Sequence, residues 1–439
     1  MIVFFLKVLF IYLKSLLLAT FRLKGNKTLY LSGVNLMKRS FRLSQADNKN
    51  TFIVLRKFLA VSKKLFLAKK SNLKLTRDAD FIYDVDLPSR EIRQKYLQHY
   101  TGSAPSNYVS KENLMNELSF PVGIFICIFN SILFIPLFLL TFFSKKKAAV
   151  SLLFSEVTEN AVLLYLVRKF KLKKCYFFSI YEKDANLAAC LLMKEKTEVI
   201  KIPSEVPFYF FNRTIICDKL IICNAYQYDE LKEYKDTLIY RETEFFGPER
   251  VTDFYTVYKD KSYTMARKTI GFYSTASWVR EKEGHIDQGT SMVENEALLL
   301  GYLKKYLTQH PEYKLIIYAH PKEKSEKYLS ETKIHYKELL GDVNFEFAEF
   351  SALSAASFFN AELAVAFNST LVHERLYFGF KTLILPLNHP GFPVRNSSFN
   401  NICSYKEEEL FLKMDKALQQ SEDEFFEKNG LSNYCFKQN

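Results

Sequence analysis

The sequence predicts an α/β protein with two Rossmann-like halves and an N-terminal basic, apolar module that associates with a membrane. From residue 148 onward, strand-like apolar runs alternate with segments of helical spacing, which is typical of a parallel sheet covered by helices. The alternation forms two series of strands and helices, which meet near residues 245–268. The longest apolar runs of the sequence precede both series. The predicted parts are a module over 1–147, an N-terminal half over 148–262, a C-terminal half over 263–400 and a helical tail over 401–439.

Residues 1–118 carry the whole of the net charge of +13. Residues 1–21 contribute two lysines, residues 22–118 hold 19 basic and 8 acidic residues, and residues 145–439 balance to zero. No zinc-finger spacing and no RNA-binding aromatic motif accompanies this charge. We therefore expect an anionic membrane surface as a partner and no nucleic acid.

Two apolar segments, 1–21 and 120–143, flank the basic residues. Lys7 and Lys14 lie inside the first, which argues against a cleaved signal peptide. The second has no charge and is long enough to cross a bilayer, but basic residues lie on both sides of it and Pro136 interrupts it. A re-entrant or interfacial arrangement fits best, with peripheral or monotopic attachment to the cytoplasmic face of the inner membrane. A buried core helix and a simple transmembrane anchor remain alternatives.

The N-terminal half is predicted from five strand-like runs and two helical segments. A basic amphipathic segment before it, 51–70, is typical of an interfacial helix. The strands are expected at 149–154, 175–181, 198–203, 219–224 and 237–242, and the helices at 159–170 and 185–194.

The C-terminal half repeats the pattern. Strands are expected at 269–275, 313–320, 343–348, 362–367 and 382–387, helices at 293–307, 351–360 and 370–378, and one or two tail helices at 407–428. Ligands of open parallel sheets bind at the carboxyl ends of the strands. The cleft between the halves is therefore the expected site.

The common cofactor motifs are missing. There is no G-x-G-x-x-G after a strand, no P-loop, no G-x-S-x-G and no C-x-x-C among the seven cysteines. We expect no metal and no bound cofactor, and a reducing compartment suits the scattered cysteines. What remains is a set of polar residues directly after the strands of the C-terminal half.

Three of these positions favour binding of a phosphate or sugar. His320, Pro321 and Lys322 follow the strand at 313–320, where an imidazole and an ammonium could contact a phosphate. Ser369 and Thr370 precede a helix that carries Glu374, and Ser274 and Thr275 follow the first strand. Each position also has a purely structural interpretation, as a turn or a helix cap.

These residues form two motifs that resemble a known family. His320-Pro321-Lys322-Glu323 reads H-P-[KR]-E, and the later segment reads [FN]-S-T-x-x-x-E-x-x-x-x-G-x-K. Over about residues 149–400 the chain resembles GT-B glycosyltransferases of bacterial surface polysaccharides, in particular the sialyltransferase- and polysialyltransferase-like families that use CMP-sugars. The resemblance implies that His320, Ser369 and Thr370 contact the CMP portion. It also implies a general base in a short acidic motif, here Glu242 or Glu244.

The implied function is a membrane-associated, inverting and metal-independent glycosyltransferase. It would transfer a sugar from a nucleotide-sugar, favoured to be CMP-linked, to a glycan or glycolipid acceptor of a capsule or lipopolysaccharide. One alternative is a CDP-glycerol- or ribitol-type phosphotransferase, which should have a second histidine in the N-terminal half, whereas residues 149–262 contain none. Another is a non-catalytic membrane scaffold with a transferase-like fold. A nucleotide-sugar epimerase is disfavoured because a soluble substrate needs no membrane attachment.

Overall fold

The computed structural model has two compact units. Unit 1 comprises Met1–Ser204, Tyr209–Ile222 and Gln227–Glu249, and unit 2 comprises Glu205–Phe208, Cys223–Tyr226 and Arg250–Asn439. The residues described are 2–46, 80–83, 90–102, 108–110, 147–178, 185–203, 214–248, 252–260, 263–284, 292–367, 369–386 and 397–435, with single residues 59, 114, 128, 132 and 135.

Unit 1 contains a parallel sheet of six strands within the described residues, in the order β2-β1-β3-β4-β6-β8. A small parallel pair, β5 with β7, lies beside it. The strands are β1 (Asp80–Ile82), β2 (Tyr108–Ser110), β3 (Lys174–Phe177), β4 (Glu198–Lys201), β5 (Ile215–Ile216), β6 (Lys219–Ile222), β7 (Leu238–Ile239) and β8 (Glu242–Phe245). This order reverses between β1 and β3, as in flavodoxin-like sheets.

The helices of this part of the chain precede or connect these strands. They are α1 (Ile2–Thr20), α2 (Lys27–Ala46), α3 (Arg90–Thr101), α4 (Lys147–Phe170), α5 (Ala185–Lys194) and α6 (Ala225–Glu233). The strand predicted at 149–154 is wrong, because these residues lie inside α4. No glycine or proline separates them from the helical segment that follows, so nothing in the sequence ends the helix before Phe170.

The predicted module over 1–147 is not separate from the N-terminal sheet. Its residues provide β1 and β2, and β1 pairs directly with β3 through Phe81 opposite Cys175. α1 also packs against α2 and α4, where the Tyr12 hydroxyl donates a 2.7 Å hydrogen bond to Glu156. The pairing of β1 with β3 and the helix contacts of α1 therefore join residues of the predicted module and of the N-terminal half in one unit.

The strand predicted at 237–242 is divided into β7 and β8. Leu238 and Ile239 pair with β5, after which the backbone N–H groups of Arg241 and Glu242 both donate to the Asp218 carbonyl, at 2.8 and 3.1 Å. These two hydrogen bonds start β8 beside β6, with Glu242 opposite Lys219.

Unit 2 contains a five-stranded parallel sheet in the order β11-β10-β9-β12-β13. Its strands are β9 (Thr269–Tyr273), β10 (Lys314–Tyr318), β11 (Phe345–Phe347), β12 (Leu363–Ala366) and β13 (Thr382–Ile384). Numbered along the chain, the order is that of the Rossmann fold, and it reverses between β9 and β12. The predicted α/β fold with parallel sheets is therefore confirmed.

Helices surround this second sheet and its large apolar core. They are α7 (Thr252–Lys259), α8 (Ser277–Lys282), α9 (Met292–Gln309), α10 (Leu329–Leu340), α11 (Thr370–Tyr377), α12 (Ser397–Ile402), α13 (Glu407–Gln419) and α14 (Glu422–Lys428). The helix predicted at 351–360 is a 3-10 helix, Ser354–Asn360. Both tail helices lie where the sequence predicts them.

Most of the second apolar segment, 120–143, and of the predicted interfacial helix, 51–70, lies outside the described residues. Of these two segments, the structure describes only residues 59, 128, 132 and 135. No helix in the described ranges is long and apolar enough to span a bilayer. Association with a membrane stays a prediction.

Gly33 sets the closest approach of α1 to α2 and supports a test of their packing. A Cβ added to Gly33 would overlap the Ser15 carbonyl oxygen and lie 2.9 Å from the Ala19 Cβ. We expect Gly33→Ala to lower the free energy of unfolding of unit 1 by about 1–3 kcal/mol, as measured by calorimetry and limited proteolysis.

Gly301→Ala is the matched control. Gly301 lies inside α9 with open space around it, so alanine should be neutral or stabilise by up to about 1 kcal/mol. Equal stability of Gly33→Ala and the wild type would contradict the close packing of α1 on α2.

Candidate functional site

The carboxyl edge of the unit 2 sheet gathers the polar residues that the sequence analysis singled out. Ser274 and Thr275 follow β9, His320 follows β10 shortly after its end, and Ser369 precedes α11 after β12. Since β9 lies between β10 and β12 and all three are parallel, these residues share one edge. The point where the strand order reverses, between β9 and β12, is where ligands of such sheets bind.

His320 is held in one orientation by its own turn. Its Nδ1 accepts a 3.1 Å hydrogen bond from the backbone N–H of Lys322, and its carbonyl accepts from the N–H groups of Glu323 and Lys324. With Nδ1 serving as an acceptor, the neutral ring carries its proton on Nε2. Nε2–H is the group that could donate to a phosphate oxygen. Pro321 lies exposed in the same turn.

Lys322 is less available to a ligand than the sequence analysis predicted. Its ammonium forms an ion pair with Glu283, whose pKa falls below its ordinary value because of the hydrogen bond from Lys322. A phosphate would have to compete with this carboxylate for the ammonium.

Ser369 caps the first turn of α11. Its hydroxyl accepts a 3.4 Å hydrogen bond from the N–H of Leu371, and both Ser369 and Thr370 remain half-exposed. A capping role and an anion-binding role are compatible at a helix N-terminus. Glu374, also predicted to contact nucleotide, is fully buried one turn later. Its side chain has no surface at which a nucleotide could bind.

Ser274 and Thr275 are buried and form hydrogen bonds inside the protein, and their role in holding phosphate or sugar stays a prediction. The backbone N–H of Thr275 donates a 2.8 Å hydrogen bond to Glu296, and the Thr275 hydroxyl and both donors of Ser277 bind the same carboxylate. Ala276, between them, has a left-handed φ of 55°, which lets the loop wrap around the carboxylate. The loop after β9 therefore already encloses an internal carboxyl group.

The sequence analysis missed two buried acids, Glu296 and Glu323, that organise this edge. Glu323 accepts hydrogen bonds from the backbone N–H of His320 at 2.8 Å, from Trp278 Nε1 at 2.7 Å and from the Tyr336 hydroxyl at 3.1 Å. Burial, together with the charge of Glu296, raises the pKa of Glu323 to about 7. Burial also raises the pKa of Glu296, although its hydrogen bonds to Ser277 and Thr275 oppose the shift.

Signals for both acids were present in the sequence. Glu296 occupies the apolar face of a helix, in register with Leu299, Leu300 and Leu303, where an acid is rarely buried without a specific partner. Glu323 ends the H-P-K-E motif.

The predicted general bases, Glu242 and Glu244, both lie in strand β8 of the unit 1 sheet, and Glu244 is one residue from its carboxyl end. Glu242 is the first residue of β8, at the amino edge, and β8 is the edge strand farthest from the reversal between β1 and β3. Both carboxylates bind the Lys219 ammonium at 3.0 Å, and Glu244 also accepts from the Tyr100 hydroxyl. Hydrogen bonds to the two acids raise the pKa of Lys219 despite its desolvation. Each carboxylate has further lone pairs beside those that these partners use, so the assignment of a base here stays a prediction.

The geometry of unit 2 thus offers an oriented imidazole N–H and a capped helix N-terminus at one sheet edge, a combination suited to binding an anion. Among the described residues, no group of three or more His, Cys, Asp or Glu side chains could hold a metal ion.

No protein-family model and no curated protein matches this sequence. Solved structures give distant similarities. The UDP-GlcNAc 2-epimerase from Neisseria meningitidis bound to UDP-GlcNAc has 10% identity and a TM-score of 0.44 over 81% of this chain and 95% of its own. A wall teichoic acid polymerase has 12% identity and a TM-score of 0.39 over 90% and 92%. An O-GlcNAc transferase from Thermobaculum terrenum has 11% identity and a TM-score of 0.34 over 95% and 76%. Similarities this distant assign no activity to the chain.

The pKa of Glu323 predicts a specific dependence of stability on pH. The folded protein retains a proton on Glu323 up to about pH 7, whereas the unfolded chain loses it near pH 4.5. Stability should therefore fall as the pH rises between these values, by up to about 3 kcal/mol from this group. Glu323→Gln should remove that slope, so that the variant gains stability relative to the wild type between pH 5 and 8 in denaturant titrations.

Glu331→Gln is the control, since Glu331 is exposed and forms a surface ion pair with Lys282. Its stability profile should parallel that of the wild type. Parallel profiles for Glu323→Gln and the wild type would show that the buried carboxyl does not retain its proton.

Proposed function

We propose that the protein is a glycosyltransferase that uses a nucleotide-sugar as its donor and binds the nucleotide at the carboxyl edge of the unit 2 sheet. The observation that carries the proposal is the placement of His320, with its Nδ1 accepting from the Lys322 N–H, on the sheet edge where the strand order reverses. The H-P-K-E and S-T-x-x-x-E motifs at this edge support the same assignment.

In the proposed reaction an acceptor hydroxyl displaces the nucleotide from the anomeric carbon and gives its proton to a carboxylate, so that the glycosidic bond forms as the bond to phosphate breaks. His320 donates a hydrogen bond to the departing phosphate, and Ser369 and Thr370 add hydroxyl groups at the positive end of α11. A donor linked to CMP, an inverting course without metal and a glycan or glycolipid acceptor at a membrane complete the proposal. Glu242 and Glu244 stay the predicted bases, and both carboxylates form an ion pair with Lys219.

Binding of nucleotides tests this proposal. The full-length protein is titrated with CMP, CDP, UMP, UDP and GDP while its thermal unfolding is followed. A nucleotide at about 100 times its Kd should stabilise the protein by about 2.7 kcal/mol. His320→Asn should abolish the shift, because asparagine retains an acceptor for the Lys322 N–H but lacks the Nε2–H donor.

His310→Ala is the matched control, since this partly exposed histidine follows α9 and its ring stacks on Tyr306. It should respond to nucleotides as the wild type does. Selective stabilisation by CMP supports the donor class proposed here, whereas UDP or GDP would change the donor and CDP would favour the phosphotransferase. No response to any nucleotide would contradict the proposal and favour a non-catalytic scaffold.

A further inference from the structure

One face of α1 is apolar and exposed along its whole length. Val3, Leu6, Phe10, Leu13 and Leu17 recur every three or four residues, so they form a continuous line on the helix, and their exposed fractions range from 46% to 74%. Phe21, directly after the helix, is 66% exposed and extends the line. We call these six residues the α1 stripe.

The fold does not account for the α1 stripe, because α1 is attached to unit 1 through its opposite face. Val8, Ile11, Tyr12 and Ser15 are buried there, between α1 and the helices α2 and α4. The Tyr12 hydroxyl binds Glu156 and also accepts a 3.0 Å hydrogen bond from the Asn160 amide. A surface helix of a soluble protein normally carries polar residues on the outward face, and a large exposed apolar patch marks an interaction site.

The charges beside the α1 stripe indicate what it contacts. Lys14, Arg22 and Lys24 are exposed within or just after α1, and residues 1–118 hold the whole excess positive charge of the chain. An apolar line bordered by lysine and arginine matches the interface of an anionic bilayer, where acyl chains lie beneath negatively charged head groups. A second copy of the chain would bring like charges together along the same contact.

A second set of exposed apolar residues supports a lipid partner. Ile128, Ile132 and Ile135 are helical, recur at helical spacing and are 56%, 64% and 59% exposed. The same part of the chain therefore presents two separate apolar surfaces, which a bilayer can accept without specific complementarity.

We propose that the α1 stripe is inserted in the head-group region of an anionic membrane, with α1 lying in the membrane plane and its opposite face remaining on α2 and α4. The inference deepens the proposed function by assigning the membrane contact to named residues. Its test requires no nucleotide, so that it can fail or succeed independently of the nucleotide site.

Co-sedimentation of the full-length protein with vesicles tests the assignment. Vesicles of phosphatidylcholine alone are compared with vesicles that also contain phosphatidylglycerol. We expect binding to the anionic vesicles, a loss of at least about tenfold in affinity for the triple variant Phe10→Ser, Leu13→Ser, Leu17→Ser, and a loss of about fivefold for Lys14→Gln. The control triple variant, Ile334→Ser, Leu353→Ser, Leu412→Ser, removes equally exposed apolar residues of unit 2 and should bind as the wild type does.

Calorimetry and light scattering on the same variants complete the test. The α1 variant should retain the unfolding profile of the wild type, since the three side chains are exposed. Vesicle binding equal to that of the wild type would overturn the proposal. So would a wild-type dimer that the α1 variant converts to a monomer, because the stripe would then be a contact between copies of the chain.

Discussion

The carboxylate of Glu323 connects the loops on which the candidate site depends. It binds the backbone of its own turn at His320, the indole of Trp278 after β9 and the phenol of Tyr336 in α10. Three donors from three elements converge on a group that has no exposed surface. The orientation of the imidazole ring therefore depends on a buried acid, and removing that acid would leave several donors without an acceptor in a medium of low dielectric.

A buried guanidinium fixes the layer beneath this edge. The Arg375 guanidinium in α11 donates to the carbonyls of Phe358, Ala361 and Lys381 and to the Tyr273 hydroxyl at the end of β9. It thereby joins the 3-10 helix, the residues just before β12 and the residue just before β13. Because Arg375 links α11 to the end of β9, the N-terminus of α11 and the loop after β9 are held in a fixed relative position where the strand order reverses.

Much of unit 2 could be predicted from the sequence because its strands are short apolar runs separated by clear turn residues. In unit 1 the apolar run 149–154 is compatible with a strand and with part of a buried helix. Only the length of the helical segment that continues to Phe170 distinguishes the two. β1 and β2 have three residues each, too few for periodicity to be recognised.

The candidate site was predictable in part. The placement of His320 and Ser369 follows from strand ends alone. The partners of Thr275 and Lys322 depend on Glu296 and Glu283, which are distant in sequence, and no local pattern reveals such pairs. Strand β8 begins at Glu242 because the N–H groups of Arg241 and Glu242 both donate to the Asp218 carbonyl. The strand propensity of these residues does not predict this break between β7 and β8.

The burial of Lys381 depends on residues of the C-terminal tail, which affects the order in which the second sheet can fold. Its side chain is fully buried, and its ammonium donates 2.8 Å hydrogen bonds to the carbonyls of Ala417 and Gln420 at the end of α13. A buried ammonium without such partners is strongly unfavourable. During synthesis on the ribosome, Lys381 thus lacks these two carbonyl acceptors until residues 417–420 have emerged, so the second sheet reaches its final form only after α13 has been made.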